Sequence, residues 1–408
     1  MHFSVSMLFN RLPIVFIKVL KDIKIYCIVL ILSGQAFACK PEKKPSVIQE
    51  QKEIVVGASS TNEYVPNLMG KRVALVANKS SRIDNVHLVD SLRSLGVNLV
   101  TIFAPEHGFR SNADAGEHIQ NDVDVKTGIP IISLYGKNKK PSKEMLKGID
   151  IIVYDIQDVG VRFYTYISTL HYIMEACAEA KIPVWVLDRP NPNGDYIDGP
   201  ILDTAFSSFV GMHPVPVVYG MTVGEYAQMI NGQGWLNDGI QCELYVQACK
   251  YYGRRMQYEL PVRPSPNLPN YQSIRLYPSL CFFEGTKVSV GRGTEFPFQV
   301  YGAPFLKGRF QFTPQSGPGA KYPKHENKLC QGEDLRNKRM NTIELKWLIN
   351  AYKQMPEDFF NSFFVKLAGT DLLRMQIEQG LSINEIKSSW KDSLENFRKM
   401  RKPYLIYQ

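Results

Sequence analysis

Cysteine is scarce: the 408-residue chain holds seven, and no two stand in a CxxC spacing. That argues against a zinc ribbon or a dense disulfide framework. With Cys27 and Cys39 set aside as part of a leader, Cys177, Cys242, Cys249, Cys281 and Cys330 read as buried free thiols, a Cys242–Cys249 pair being the alternative. Heptads, fixed-period repeats and low-complexity tracts are missing, which excludes coiled coils, solenoids and disordered arrays. The formal charge of +9 is spread along the chain without a dense Lys/Arg block, so no nucleic-acid partner is expected. The first apolar strand runs on into "ANKSS", with neither GxGxxG nor GxxxxGK[ST], so no nucleotide cofactor is expected. No HExxH frame occurs either, and no metal is expected.

What is present begins with a leader. Arg11, Lys18, Lys21 and Lys24 precede the apolar run Ile25 to Leu32, which is too short for a permanent bilayer span. Small residues lead into Ala36-Phe37-Ala38-Cys39, which suits signal-peptidase cleavage or lipidation of Cys39, although Ala36 and Phe37 make the lipobox imperfect. The expectation is a signal peptide over 1–38, a lipidated Cys39 opening a polar tether over 39–56, and an exported protein, periplasmic or at the outer membrane. It would touch a membrane only through that anchor. An uncleaved signal anchor from Met7 is the alternative.

Beyond the tether, strands are predicted at 71–81, 97–103, 129–136, 149–157 and 182–194, alternating with helices at Val86 to Leu95 and Thr165 to Ala180. Near-continuous apolar strands between helices predict an α/β fold, a Rossmann-like parallel sheet covered on both faces. "GMTVGEYAQMING" opens another helix, where Thr222 and Glu225 form a capping box, and "CELYVQAC" reads as a strand. After about Val262 the texture changes to Pro-rich turns and Gly-rich loops, closing with helices at Ile343 to Met355 and Ile383 to Met400, the latter capped by Ser382 and Glu385. The predicted domains are 57–262, Rossmann-like and catalytic, and 263–408, a smaller mixed α+β domain.

In open parallel sheets ligands bind at the carboxyl ends of the strands. Four predicted strands end in polar groups: Asn78; Glu106 and His107; Asp155, Gln157, Asp158 and Arg162; Asp188, Arg189 and Asn191. The stretch "TIFAPEHGFR" (101–110) stops an apolar run at Pro105 and follows it with an acid, an imidazole and Arg110. The next loop adds Asp114, Glu117 and His118. Acetal hydrolysis needs a proton donor for the leaving oxygen and a second carboxylate as base, nucleophile or charge stabiliser. Glu106 suits the first role, and Asp114, Glu117, Asp158 and Glu284 are candidates for the second. Arginines suit an anionic sugar, because a guanidinium grips a carboxylate through two hydrogen bonds. Phe163, Tyr164 and Tyr166 suit stacking on sugar faces, although some must pack the helix. Two other readings stay open: a metal-dependent hydrolase using Glu106, His107, Asp114, Glu117 and His118, and a sugar-binding lipoprotein without turnover.

Ten motifs now occur in order: "FAPEHGFR", "DAGE", "IPIISLYG", "YDIQDVGVRFYTYISTL", "VLDRPNPNG", "DGPIL", "SFVGMHPVPVVYGMTVGEYA", "RPSPNLPN", "FFEGTKVSVGRGTEFPFQVYGAPF" and the closing "YLIY". Over residues 60 to 408 the chain resembles the exo-β-N-acetylmuramidase (NamZ-type) family of bacterial peptidoglycan hydrolases. The resemblance implies a cleft between the two domains and release of N-acetylmuramic acid from non-reducing ends of peptidoglycan fragments. It implies neither nucleotide nor metal, and muramyl saccharides as partners. The Glu of "APEHG" falls on Glu106 as catalytic acid, with Asp158 and Glu117 as further catalytic candidates. Substrate binding would fall to His107, Arg110, Asp114, Asn78, Gln157, Arg162, Tyr164, Arg189, Asn191, Glu284 and Arg292. The segment 311–335 departs from the pattern, which bears on the rim of the cleft.

Overall fold

A computed structural model describes residues 52–408, except 107, 111–121, 137 and 356. The leader, Cys39 and most of the tether lie outside these residues, as do His107, Asp114, Glu117 and His118. After a short helix α1 (Thr61–Tyr64) the expected apolar runs become strands: β1 (Val73–Ala77), then a small ribbon of β2 (Arg82–Ile83) and β3 (Val86–His87), helix α2 (Leu88–Ser94), and β4 (Leu99–Ala104). They continue as β5 (Asp122–Val123), β6 (Pro130–Ser133), β7 (Ile151–Asp155), helix α3 (Tyr166–Ala180), β8 (Val184–Leu187), helix α4 (Val223–Gly232) and β9 (Leu244–Gln247). The main sheet has seven strands in the order β5-β6-β4-β1-β7-β8-β9. All pairs are parallel except β5 with β6 at the edge. Counted along the chain without β5, the parallel strands run 3-2-1-4-5-6, the doubly wound order of the Rossmann fold.

Both faces are buried, because side chains alternate across a strand. Ala74 and Val76 of β1 enter one apolar cluster with α3 and α4, while Val73, Leu75 and Ala77 enter another with α2. The first cluster runs on into the second half of the chain through Leu276, Phe282, Ile343, Leu348 and Trp390. The end of the expected tether is docked: Val55 pairs with Lys250 across a bridge, and the Gly57 amide donates to the Asp188 carbonyl at 2.8 Å.

The second half holds α5 (Tyr271–Leu280), a three-stranded antiparallel sheet of β10 (Val300–Ala303), β11 (Phe310–Phe312) and β12 (Cys330–Asp334), and helices α6 (Lys346–Gln354), α7 (Phe364–Ala368), α8 (Leu372–Glu378) and α9 (Ile383–Arg401). Helix α5 escapes the sequence reading because Pro278 sits inside it, near the carboxyl end. The capping boxes expected at Thr222/Glu225 and Ser382/Glu385 are both formed. Glu225 is fully buried, pairs with Arg254 at 2.7 Å, and its Oε1 also accepts the amides of Ile406 and Tyr407. The closing "YLIY" is thereby stapled to the main sheet, with the Tyr407 hydroxyl donating to Asp188 Oδ2 at 2.7 Å. Cys177, Cys242, Cys249, Cys281 and Cys330 are free and buried.

Candidate active site

A cavity of about 240 Å³ opens beyond the carboxyl end of β4. Glu106 reaches it because Pro105 ends the strand and the following turn lifts the side chain off the sheet. On the same side, the leading edge of α3 supplies Phe163, Tyr164, Thr165 and Tyr166. The Thr165 hydroxyl donates to Glu106 Oε2 at 3.1 Å, and the Tyr166 hydroxyl donates to the Glu106 carbonyl at 3.3 Å. Two rigid elements therefore hold Glu106 half-buried at the wall.

The opposite wall comes from the second half of the chain, with Asn267, Tyr277, Glu284, Arg292, Phe298 and Phe363. Rings interlock behind it: Phe163 meets Tyr277 edge-on at 5.3 Å, and Tyr277 meets Phe298 at 4.9 Å. Arg292 Nε lies 3.2 Å from Glu284 Oε1, and its guanidinium lies 5.0 Å from the Phe298 ring centroid. Gly291 and Gly293 flank Arg292 with φ of +77° each, the left-handed region that only glycine enters without strain. A Cβ on Gly291 would stand 2.6 Å from Val300 Cγ2. The glycine-rich stretch "SVGRGTEFPF" thus serves to present an arginine to the cavity. Burial alone would raise the Glu284 pKa, but the charges of Arg292 and Lys324 outweigh it and hold the carboxyl below its usual value.

Of the residues expected from the sequence, Glu106, Phe163, Tyr164, Tyr166, Glu284 and Arg292 line this cavity. The others among the described residues do not, and their partners show why. Arg162 donates to four main-chain carbonyls: Pro200 at 2.9 Å, Val215 at 2.7 Å, Leu367 at 2.9 Å and Ala368 at 2.6 Å. Burial pulls its pKa down to about 9. Arg189 is buried against Asp155 through bonds of 2.6 and 2.8 Å. Gln157 donates to the Asp158 and Pro190 carbonyls, each at 2.8 Å. Asn191 donates to the Met221 carbonyl, and Asn78 Oδ1 accepts from Ser80. Asn78 (through Ser80), Gln157 and Arg189 tie the ends of β1, β7 and β8 to one another, while Arg162 and Asn191 are taken up by more distant backbone, and none of them faces the cavity.

Asp158 also sits behind the wall. Its Oδ2 accepts from the Tyr219 hydroxyl and from the Gly160 amide, while its buried Oδ1 has no protein partner among the described residues. Burial pushes its pKa up to about 7, against those bonds. Arg110 is held by Asp90 and Asp124, at 2.9 and 2.8 Å, so it joins Asp124 to α2 and is satisfied by protein carboxylates. The Arg110 hydrogen bonds drag the Asp90 pKa down to about 2. Among the described residues, no three His, Cys, Asp or Glu side chains converge as a metal site.

Sequence reasoning missed Thr165, Asn267, Tyr277, Phe298 and Phe363. The signal for Thr165 was its place at the start of α3, directly after a strand-end loop. The others follow only from long-range packing.

An acid on a hydroxyl support, facing a cation and aromatic rings across a small cavity, is the arrangement a carbohydrate-cleaving enzyme would use. Comparison with known proteins gives the family. Residues 73–272 match the model for the N-terminal part of exo-β-N-acetylmuramidase NamZ, and residues 275–407 match that for its C-terminal part. The chain is 40% identical to the peptidoglycan β-N-acetylmuramidase NamZ of Bacillus subtilis strain 168, over 91% of this chain and 95% of that protein. Crystal structures of two DUF1343 family proteins from Bacteroides fragilis NCTC 9343 are similar throughout. One has a TM-score of 0.82 and 48% identity, covering 88% of this chain and 99% of the other. The second has a TM-score of 0.76 and 30% identity, covering 87% and 99%. This chain belongs to the exo-β-N-acetylmuramidase NamZ family and is a glycoside hydrolase.

Proposed function

We propose that this glycosidase releases N-acetylmuramic acid from the non-reducing ends of peptidoglycan fragments, with Glu106 as general acid. The observation that carries the assignment is Glu106 itself: it lines the cavity opposite Arg292, in a relative of a peptidoglycan β-N-acetylmuramidase. Glu106 delivers its proton to the glycosidic oxygen as the bond from that oxygen to the anomeric carbon breaks, and water adds to the carbon with loss of a proton, completing the hydrolysis. Thr165 holds the carboxyl in line, and Arg292 faces the carboxylate of the lactyl ether that distinguishes muramic acid. Glu284 is the second carboxylate on this cavity among the described residues. We further propose export and anchoring through Cys39, which would place the enzyme beside its polymer.

The test is turnover of a chromogenic β-N-acetylmuraminide and of the matching N-acetylglucosaminide, with EDTA present. The wild type is expected to release aglycone from the first only. Glu106→Gln is expected to fold normally and lose about 10²–10⁴-fold in kcat, the usual share of general acid catalysis. Near-normal turnover by this variant would remove Glu106 from the role.

A further inference from the structure

Lys324 comes from the 311–335 segment, a stretch that contains none of the ten motifs. Its ammonium is half-buried beneath the turn that carries Glu284. It donates to the carbonyls of Phe283 at 2.8 Å, Glu284 at 3.1 Å and Thr286 at 2.8 Å, and lies 3.5 Å from that of Val288. Among the described residues no carboxylate lies within salt-bridge distance of it, and Glu284 is paired with Arg292. Two cations and one anion therefore stand at and directly behind one wall of the cavity in a partly dry setting, Arg292 and Glu284 on it and Lys324 behind, where charge is screened less than at a free surface.

From this excess of charge we propose that Lys324 is a specificity determinant: with Arg292 it leaves the Glu284 wall net positive, and so selects a sugar bearing a carboxylate over the same sugar without one. The inference rests on the cavity being the muramic acid site. Without Lys324, Arg292 and Glu284 would cancel, and an incoming carboxylate would meet a neutral pair. With it, Arg292 keeps an electrostatic surplus to offer the ligand. Lys324 touches backbone, not substrate, so it acts as a positioning and field-setting residue. Its pKa is consistent with that coupling, since burial lowers it, Glu284 raises it and Arg292 lowers it again, for a net fall.

The test compares two substrates on the full chain: a chromogenic β-N-acetylmuraminide and its lactyl carboxamide, which has the same shape and no charge. For Lys324→Gln, which keeps a donor for the carbonyls, KM for the acid is expected to rise about tenfold, the factor that 1.4 kcal/mol represents. KM for the amide and both kcat values should stay within about twofold of wild type. Lys324→Arg, which keeps the charge, is expected to restore the acid-to-amide preference. As a measurement needing no variant, raising salt should weaken wild-type KM for the acid and leave that for the amide unchanged. If Lys324→Gln loses both substrates equally together with thermal stability, or if salt acts alike on both, Lys324 is only a staple for the turn and the inference fails. If the wild type cleaves neither substrate, the muramidase reading itself fails, a different result from turnover without selectivity.

Discussion

Arg162 offers the sharpest separation between a substrate-binding residue and a structural one. Its guanidinium joins carbonyls at 200 and 215, in the first half, to those at 367 and 368, at the end of α7. Val215 also accepts from the Leu202 amide, so Arg162→Met chiefly strands the Pro200, Leu367 and Ala368 carbonyls. Each buried carbonyl left unpaired costs about 1–3 kcal/mol. Against this, Met fills much of the volume and removes the desolvation cost of a buried cation. The balance is a loss of about 3–5 kcal/mol, the lower part of the range for three stranded carbonyls at about 1–3 kcal/mol each. At about 2 °C per kcal/mol, suited to a chain this long, Tm should fall by roughly 6–10 °C in a calorimetric or fluorescence scan. Leu367 lines the cavity, so KM for the muraminide should rise a few-fold at temperatures well below the transition, with kcat little changed. The reasoning is refuted by an unchanged Tm joined to a KM raised a hundredfold or more, since that pattern belongs to a group that grips substrate.

Asp158→Asn reports through pH. An acid whose folded pKa lies near 7 and whose unfolded pKa lies near 4 binds a proton on folding between those values. Its stabilising contribution is full below about pH 4 and is lost as pH rises towards 7. From pH 5 to pH 8 the Tm of the variant should therefore gain on that of the wild type by about 5 °C, corresponding to about 2.7 kcal/mol, or about 1.36 kcal/mol for each of the roughly two pH units between 5 and the folded pKa. Asp188, pushed up to about 6 by burial, titrates in the same window but is common to both proteins and cancels in the difference. A Tm gap that does not change with pH would show that Asp158 is ionised throughout. Cys39→Ser is expected to move the protein from the membrane to the soluble fraction of the producing cell. Continued retention in the membrane fraction would point to an uncleaved leader as the anchor.

The sheet was legible because its strands are apolar on both faces, and its helices because their caps are local. Glu106 was legible for a related reason: an apolar strand broken by proline and followed by an acid leaves that acid little choice but the strand's end. The other strand-end groups look the same in sequence and behave differently. Asp155 and Arg189 are 34 residues apart, and nothing in either stretch says that one neutralises the other. Arg162 stands within "VGVRFYTYISTL" beside the true lining residues, yet it turns inward to carbonyls 205 and 206 positions away. Polarity at a strand end marks a loop that must be satisfied, and whether protein or ligand satisfies it depends on which distant backbone comes near.

That distinction explains where the site lies. In a doubly wound sheet the natural crevice is the switch point, here between β1 and β7. In this chain the crevice is filled: Ser81 Oγ donates to the Asp155 carbonyl, the Gln157 amide donates to Ser80 Oγ at 3.1 Å, and Arg189 donates to the Arg82 carbonyl at 2.9 Å. A bonded polar network of this kind is rigid. The open position shifts one strand outward, to the end of β4, where α3 starts close by and the second half of the chain supplies the facing wall. Glu106 and Thr165 thus stand on the firm edge of the sheet, while Arg292, Glu284 and Lys324 stand on turns of the other half. On the proposed reading, change in those turns would retune recognition of the sugar's substituents without disturbing the support of Glu106.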